Sequence, residues 1–194
     1  MLRNILILMV FITSMSLAQE TTSNVITWKE GVFLQPQDFK MEREVNPFNV
    51  KNAITTYKIE ILPKEVAIDE NNNIYGYQKM NVATFFYKNK SWLGNKDNKN
   101  ELAHEQIHFD IAELFARKIR KDFEDLKSKK VKDFDAYQHV YNTQWAACQA
   151  YQNKYDSETA NGAMAIENNE WLLKIDNELF ELNAYSYERI RDQE

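Results

Sequence analysis

Two of the chain's three histidines, His104 and His108, stand four residues apart, with Glu105 directly after the first. They fall inside the longest helix-like segment, Glu101 to Lys127. On a helix, positions i and i+4 share one face, so both imidazoles can aim a nitrogen at one cation. Glu105 is rotated by about 100° from His104 and flanks that cation without having to bind it. This is the mechanical content of the HExxH pattern: two neutral nitrogen ligands for zinc, and a carboxylate able to take a proton from the water that the metal activates. Three fixed positions in five also occur on ordinary surface helices, so the surroundings matter. Leu102, Ala103, Ile107, Ile111, Ala112 and Phe115 are apolar, which turns this part of the helix inward. Buried imidazoles without partners would be costly.

Two histidines do not complete a catalytic zinc site, which needs a third protein ligand and an open position. Within the same helix, Asp110 and Glu113 lie near 240° and about 180° from His104. Both point away, and Asp110 reads as an outer partner of the site or one half of a salt bridge. The remaining histidine, His139, falls on a later helix, on neither an obvious inner nor outer face, and a solvated helix residue is its simplest reading. The other place to look is the chain reversal Tyr155-Asp156-Ser157-Glu158-Thr159-Ala160-Asn161-Gly162. Its simplest reading is punctuation, with Asp156 or Thr159 capping a helix and Gly162 supplying a permissive turn.

The elements that must position these residues follow from hydrophobic periodicity. Val25-Ile26-Thr27-Trp28 reads as a short strand, and a brief helical piece surrounds Pro36-Gln37-Asp38-Phe39. Ala53 to Leu62 alternates with a period of two until Pro63 ends it. Asp69 to Asn73 is turn-rich, Ile74 to Tyr77 is a possible strand, and Val82 to Tyr87 is rich in β-branched and aromatic residues. Asn89 to Asn100 reads as a loop. Beyond it the period becomes helical. The first helix carries the histidines and continues through Arg117, Lys118 and Arg120, whose charges read as a solvated face. A second helix spans Asp133 to Lys154, with Tyr137, Val140, Tyr141, Trp145 and Cys148 inward. A third spans Ile166 to Leu182, with Trp171, Ile175, Leu179 and Leu182 inward. The expected fold is α+β: N-terminal antiparallel strands followed by three helices.

Composition narrows the classes. Residues 1–18 read as a secretory signal peptide: Arg3 supplies the charge, Ile5 to Ile12 an apolar run too short to span a bilayer, and Ser16-Leu17-Ala18 the small residues of a cleavage site. Residues 19–194 are expected to form a single exported domain, secreted or periplasmic, with no stable membrane insertion once the signal is cleaved. The formal charge is −5, and losing Arg3 with the leader makes it −6, which argues against a nucleic-acid partner. The lone Cys148 has no disulfide partner in the chain and reads as a packed core thiol.

The block from Ala103 to Arg117, with Tyr155-Asp156-Ser157-Glu158-Thr159 downstream, resembles a family of exported bacterial proteins of unknown function, numbered 922. Its members are described as predicted secreted zinc-dependent proteases. The family pattern is HEQxHFDIxExxAR followed by YDxxTxHG. Ile26-Thr27-Trp28, Asp38-Phe39-Lys40, Val82-Ala83-Thr84-Phe85-Phe86 and Lys90-Ser91-Trp92 add weaker echoes upstream. The resemblance implies a zincin-like metallopeptidase that acts on a peptide or protein. Where the family has histidine before the glycine, this chain has Asn161, a poor ligand for zinc. Asp156, which matches the pattern, is then expected as third ligand beside His104 and His108, with Glu158 as its substitute. Glu105 is the expected general base, Tyr155 a donor to the developing oxyanion, and Val82 to Tyr87 the edge strand that aligns substrate by backbone pairing. The alternative is a catalytically impaired envelope protein that keeps the scaffold for interaction, which Asn161 favours.

Overall fold

The computed structural model describes residues 24–42 and 53–191; the expected signal peptide lies outside them. Among the described residues the architecture is α+β, with five short antiparallel strands and four α-helices. Strands β1 (Val25–Thr27), β3 (Tyr57–Leu62) and β4 (Asn81–Tyr87) form one sheet in the order β1-β4-β3. Strands β2 (Ala53–Ile54) and β5 (Trp92–Leu93) form a separate two-stranded ribbon. The helices are α1 (Lys99–Ser128), α2 (Phe134–Glu158), α3 (Ala165–Glu181) and the short α4 (Tyr187–Arg191). No helix among the described residues is long and apolar enough to cross a membrane.

Helix α1 is the axis of the molecule. It begins behind Asn98, whose side chain accepts the backbone N–H groups of Asn100 and Glu101, while Glu101 reaches back to the N–H of Gly94 at 2.8 Å. The Asn98 bonds satisfy donors that the first helical turn leaves open, and the Glu101 bond ties that turn to the chain before it. From His104 to Arg120 only His108 and Lys118 are not buried, because the helix meets β3 and β4, α2 and α3. Phe86 sits between Phe39 and Phe109, with ring centroids 5.2 and 5.8 Å away. Ile59, Val82, Ile107, Ile111 and Leu114 join them in a core that runs on to Trp171 and Ile175 of α3.

Several expectations needed correction. The run Ala53 to Leu62 is two strands, because its partner changes at Thr56. There the N–H donates to Ser91 Oγ while the carbonyl accepts from Tyr87 N. Ile74 to Tyr77 is no strand: Ile74 makes one isolated bridge to Ile68, and Gly76, at φ 69°, leads into a 3-10 turn over Tyr77–Lys79. Alternation cannot tell such a bridge from a ladder. The loop expected over Asn89 to Asn100 contains β5. Strand β4 has neighbours on both sides, β1 through Val25–Tyr87 and β3 through Leu62–Asn81, so it is the central strand and not an edge.

The basic residues of α1 are not a solvated face either. Arg117 and Arg120 are 2 % and 1 % exposed. Both guanidinium groups meet Glu113 Oε1, whose other oxygen accepts from Thr84 Oγ1 at 2.8 Å. Arg120 also donates to the carbonyl of Val82 at 2.8 Å, and Arg117 to that of Leu179. A periodic row of charges looks alike whether it faces water or a buried acid. Asp110 is not in an ion pair: it accepts from Trp28 Nε1 at 2.7 Å and Gln106 Nε2 at 2.9 Å. Burial pushes its carboxyl up to about 6, against those two donors.

Candidate metal centre

Asp156 lies on the last turn of α2, which runs to Glu158, four residues beyond the Lys154 end expected for that helix. The extension carries its carboxylate to α1. His104 Nε2 and His108 Nε2 stand 3.1 Å apart, and Asp156 Oδ1 is 3.2 Å from the first and 2.9 Å from the second. Three ligands around one tetrahedral zinc, each about 2.0–2.1 Å from it, would be separated by about 3.3 Å. The observed triangle is near that size. Among the described residues this is the one group of three or more such side chains that could hold a metal ion.

The tautomers support the same reading. Gln152 Nε2 donates to the carbonyl of His108 at 2.9 Å, so its Oε1 must face the ring. That oxygen meets His108 Nδ1, which therefore carries the proton. His104 Nδ1 lies 3.2 Å from Asn168 Oδ1, which also accepts from the Tyr155 hydroxyl. With Nδ1 of each ring turned to an amide oxygen, both Nε2 atoms face the Asp156 carboxylate. If both imidazoles are neutral with Nδ1 protonated, these three atoms are acceptors face to face, an arrangement that a cation among them or a proton on Nε2 relieves. Asp156 is held far below the usual carboxylate range: burial opposes this, and hydrogen bonds and charge from the two imidazoles outweigh it. For His108, burial pulls down, while Asp156 and the charge of Glu105 pull up more strongly.

Glu105 is 4 % exposed, and its Oε2 is one of two buried side-chain oxygens among the described residues without a hydrogen-bond partner. It lines the same cleft as the three donors, a cavity of about 170 Å³ whose walls include Ile54 and Thr55 of the β2 segment and Asn153 and Asn161. Thr55 Oγ1 donates to the carbonyl of Glu105 at 3.2 Å, fixing β2 beside the motif. The residues around this cleft bring a ribbon, two helices and a turn together at one point.

Tyr155 occupies a different place from the oxyanion donor expected of it. It is fully buried behind His104, its ring stacked on the imidazole with centroids 4.6 Å apart. Its hydroxyl is spent on Asn168 Oδ1 and the carbonyl of His104. Glu158 is exposed and faces Trp171 Nε1 and Lys154. His139 is exposed, and the 17 residues to Asp156 put it about 25 Å away along α2. Neither reaches the donor triangle.

Two residues of the site, Gln152 and Asn168, went unread in the sequence, and a third, Gly162, was read only in part. Gln152 stands four positions before Asp156, and that spacing was a usable signal for a shared helix face. Asn168, on the first turn of α3, carried none. Gly162 was read as a turn residue, but it also makes room. A Cβ there would stand 2.7 Å from His104 Cγ, and its φ is +81°. Ala160 and Asn161 before it are left-handed as well, and Asn161 N bonds back to the carbonyl of Asp156 at 2.8 Å. The turn is thereby tied to the ligand.

No curated protein and no solved structure matches the chain. A family profile does match: residues 89–162 fit that of a bacterial protein of unknown function (DUF922). This supports the resemblance read from the motif, and the matched span runs from the approach to β5 as far as Gly162, taking in all three donor residues and Glu105.

Proposed function

We propose that the protein is an exported zinc-dependent hydrolase of zincin-like design, acting on peptide bonds. One observation carries the reading: His104 Nε2, His108 Nε2 and Asp156 Oδ1 converge within 3.2 Å of one another, beside a buried and unpartnered Glu105 oxygen. His104, His108 and Asp156 would hold the ion. When bound, zinc acidifies water and polarises a carbonyl. Glu105 takes the proton of the attacking water on Oε2 and passes it to the leaving amine nitrogen. Gln152 and Asn168 keep both imidazoles in the ligand tautomer. Tyr155 positions His104 from behind and takes no part in oxyanion binding.

Because β4 is central, the backbone edge that orders substrate is β2, which pairs with β5 on one side and lines the cleft with Ala53, Ile54 and Thr55. The impaired-scaffold reading rested on Asn161, yet the donor triangle closes without residue 161. The test is metal content after dialysis against zinc, with hydrolysis of a casein-like substrate. One zinc per chain is expected, lost in Asp156→Ala. Glu105→Gln should retain zinc and lose about 10²–10⁴-fold in rate. A wild-type chain that takes up no zinc, or a Glu105→Gln variant as active as wild type, would end the proposal.

A further inference from the structure

A second cleft, of about 320 Å³, opens on another side of α1 between the 29–33 loop and the end of α3. It shares no lining residue with the metal centre. Both ends of the loop are riveted to α1. Trp28 Nε1 donates to Asp110 Oδ1 at 2.7 Å, Leu34 N donates to Gln106 Oε1 at 2.8 Å, and Gln106 and Asp110 bond each other at 2.9 Å. Between these anchors Gly31 turns at φ +75°. The loop is thereby built to hold Val32 and Phe33 outward, 44 % and 67 % exposed. Phe180, on the last turn of α3, lines the same cleft and is 78 % exposed. Large hydrophobics held in water are unfavourable unless something covers them, and a cluster of them marks a contact surface.

Charge selects the occupant. Asp110, 7 % exposed, forms part of the floor and receives both of its protein donors on Oδ1. Asp176 and Glu30 add two more carboxylates. Against them stand Lys29 and Arg117; Arg117 shares the Glu113 carboxylate with Arg120 and lies over the Trp28 ring, 5.1 Å away. Three lining carboxylates against two cations leave a formal balance of −1, and Trp28, Phe33 and Phe180 supply aromatic walls, the combination that favours a cationic side chain.

We propose that this cleft docks a polypeptide segment presenting a lysine or arginine beside an apolar residue. The basic side chain descends toward Asp110 and Asp176, and the apolar neighbour covers Phe33 and Phe180. This holds whether or not the metal centre is a hydrolase.

The indole N–H of Trp28, bonded to Asp110 at the floor, is the reporter. In ¹⁵N-resolved spectra, N-acetyl-leucyl-arginine amide should shift that resonance saturably at millimolar concentration, with or without zinc. The glutamate counterpart should bind at least tenfold more weakly. Asp176→Lys, an exposed change, should remove the shift while the rest of the spectrum stays in place, and Phe33→Ser should weaken it severalfold. The proposal is overturned if the arginine probe gives no saturable shift, if the glutamate probe matches it, or if Asp176→Lys leaves it untouched. It is equally overturned if the shift needs zinc and disappears in His104→Ala, since the probe would then occupy the metal centre.

Discussion

Gly162 shows how far one residue's absence of a side chain can reach. Its hydrogen faces the His104 ring, and a Cβ would stand 2.7 Å from Cγ and 2.9 Å from Cβ of that histidine. Gly162→Ala must move His104 or the turn, and must also hold φ at +81°. A loss of about 1–3 kcal/mol in urea unfolding is expected, together with weaker zinc binding in a chelator competition. Gln152→Leu keeps the volume of the side chain but removes the acceptor on His108 Nδ1. It should lower zinc affinity about 10–100-fold with little change in the far-UV spectrum. Asp110 gives a pH dependence. Burial raises its folded value to about 6, from 3.8. The folded state therefore holds this proton more tightly, and the stability gained is full below about pH 4 and lost as pH rises through about 6. Between pH 5 and 7.5, wild type should lose about 1–2 kcal/mol relative to Asp110→Asn in parallel urea titrations.

At the level of elements, α1 carries two kinds of polar chemistry on different faces. One face meets Asp156 from α2. The other buries Glu113 with Arg117 and Arg120, which reach β4 at Val82, α3 at Leu179 and the following turn at Tyr185. Removing the acid leaves two buried guanidinium groups uncompensated. Glu113→Ala should cost about 3–5 kcal/mol, seen as an earlier denaturant midpoint, while the folded fraction still binds one zinc. Loss of zinc with unchanged stability would mean that the two faces are coupled in some other way. The same helix shows how a motif is divided in space: Gln106, Asp110, Glu113 and Arg117 belong to the packing network, and only His104, Glu105 and His108 face the metal cleft.

For the molecule as a whole, a bound ion would cross-link α1 to α2 at residues 48 positions apart in sequence, His108 and Asp156. Ligand that binds only the folded state stabilises by about 2.7 kcal/mol at a hundred times its Kd. For a chain of this length that corresponds to a rise in Tm of about 5–10 °C. Zinc should produce this rise, EDTA should reverse it, and His104→Ala should show neither. The cleft formed by the 29–33 loop and α3 is independent of that link, so its occupancy should leave the zinc-dependent shift unchanged.

What could be read from the residues alone was local. Helical spacing placed His104 and His108 on one face, β-branched and aromatic composition marked β4, and the long apolar periods of α2 and α3 set their inner sides. The Tyr155–Gly162 block was singled out with Asp156 in it. Everything that depended on direction in space came only with the tertiary structure. A helix one turn longer than expected delivered Asp156, and the same turn of α2 buried Tyr155 behind the imidazole it was expected to assist from the front. The charges of Arg117 and Arg120 read as solvated because periodicity records which residues share a stripe, and not what lies opposite it. Strand order is invisible in the same way: β4 has the composition of a strand at any position, and only its pairing with both β1 and β3 makes it central. Side-chain type and spacing constrain one element at a time, whereas a metal centre and a docking cleft are made by the distances between elements.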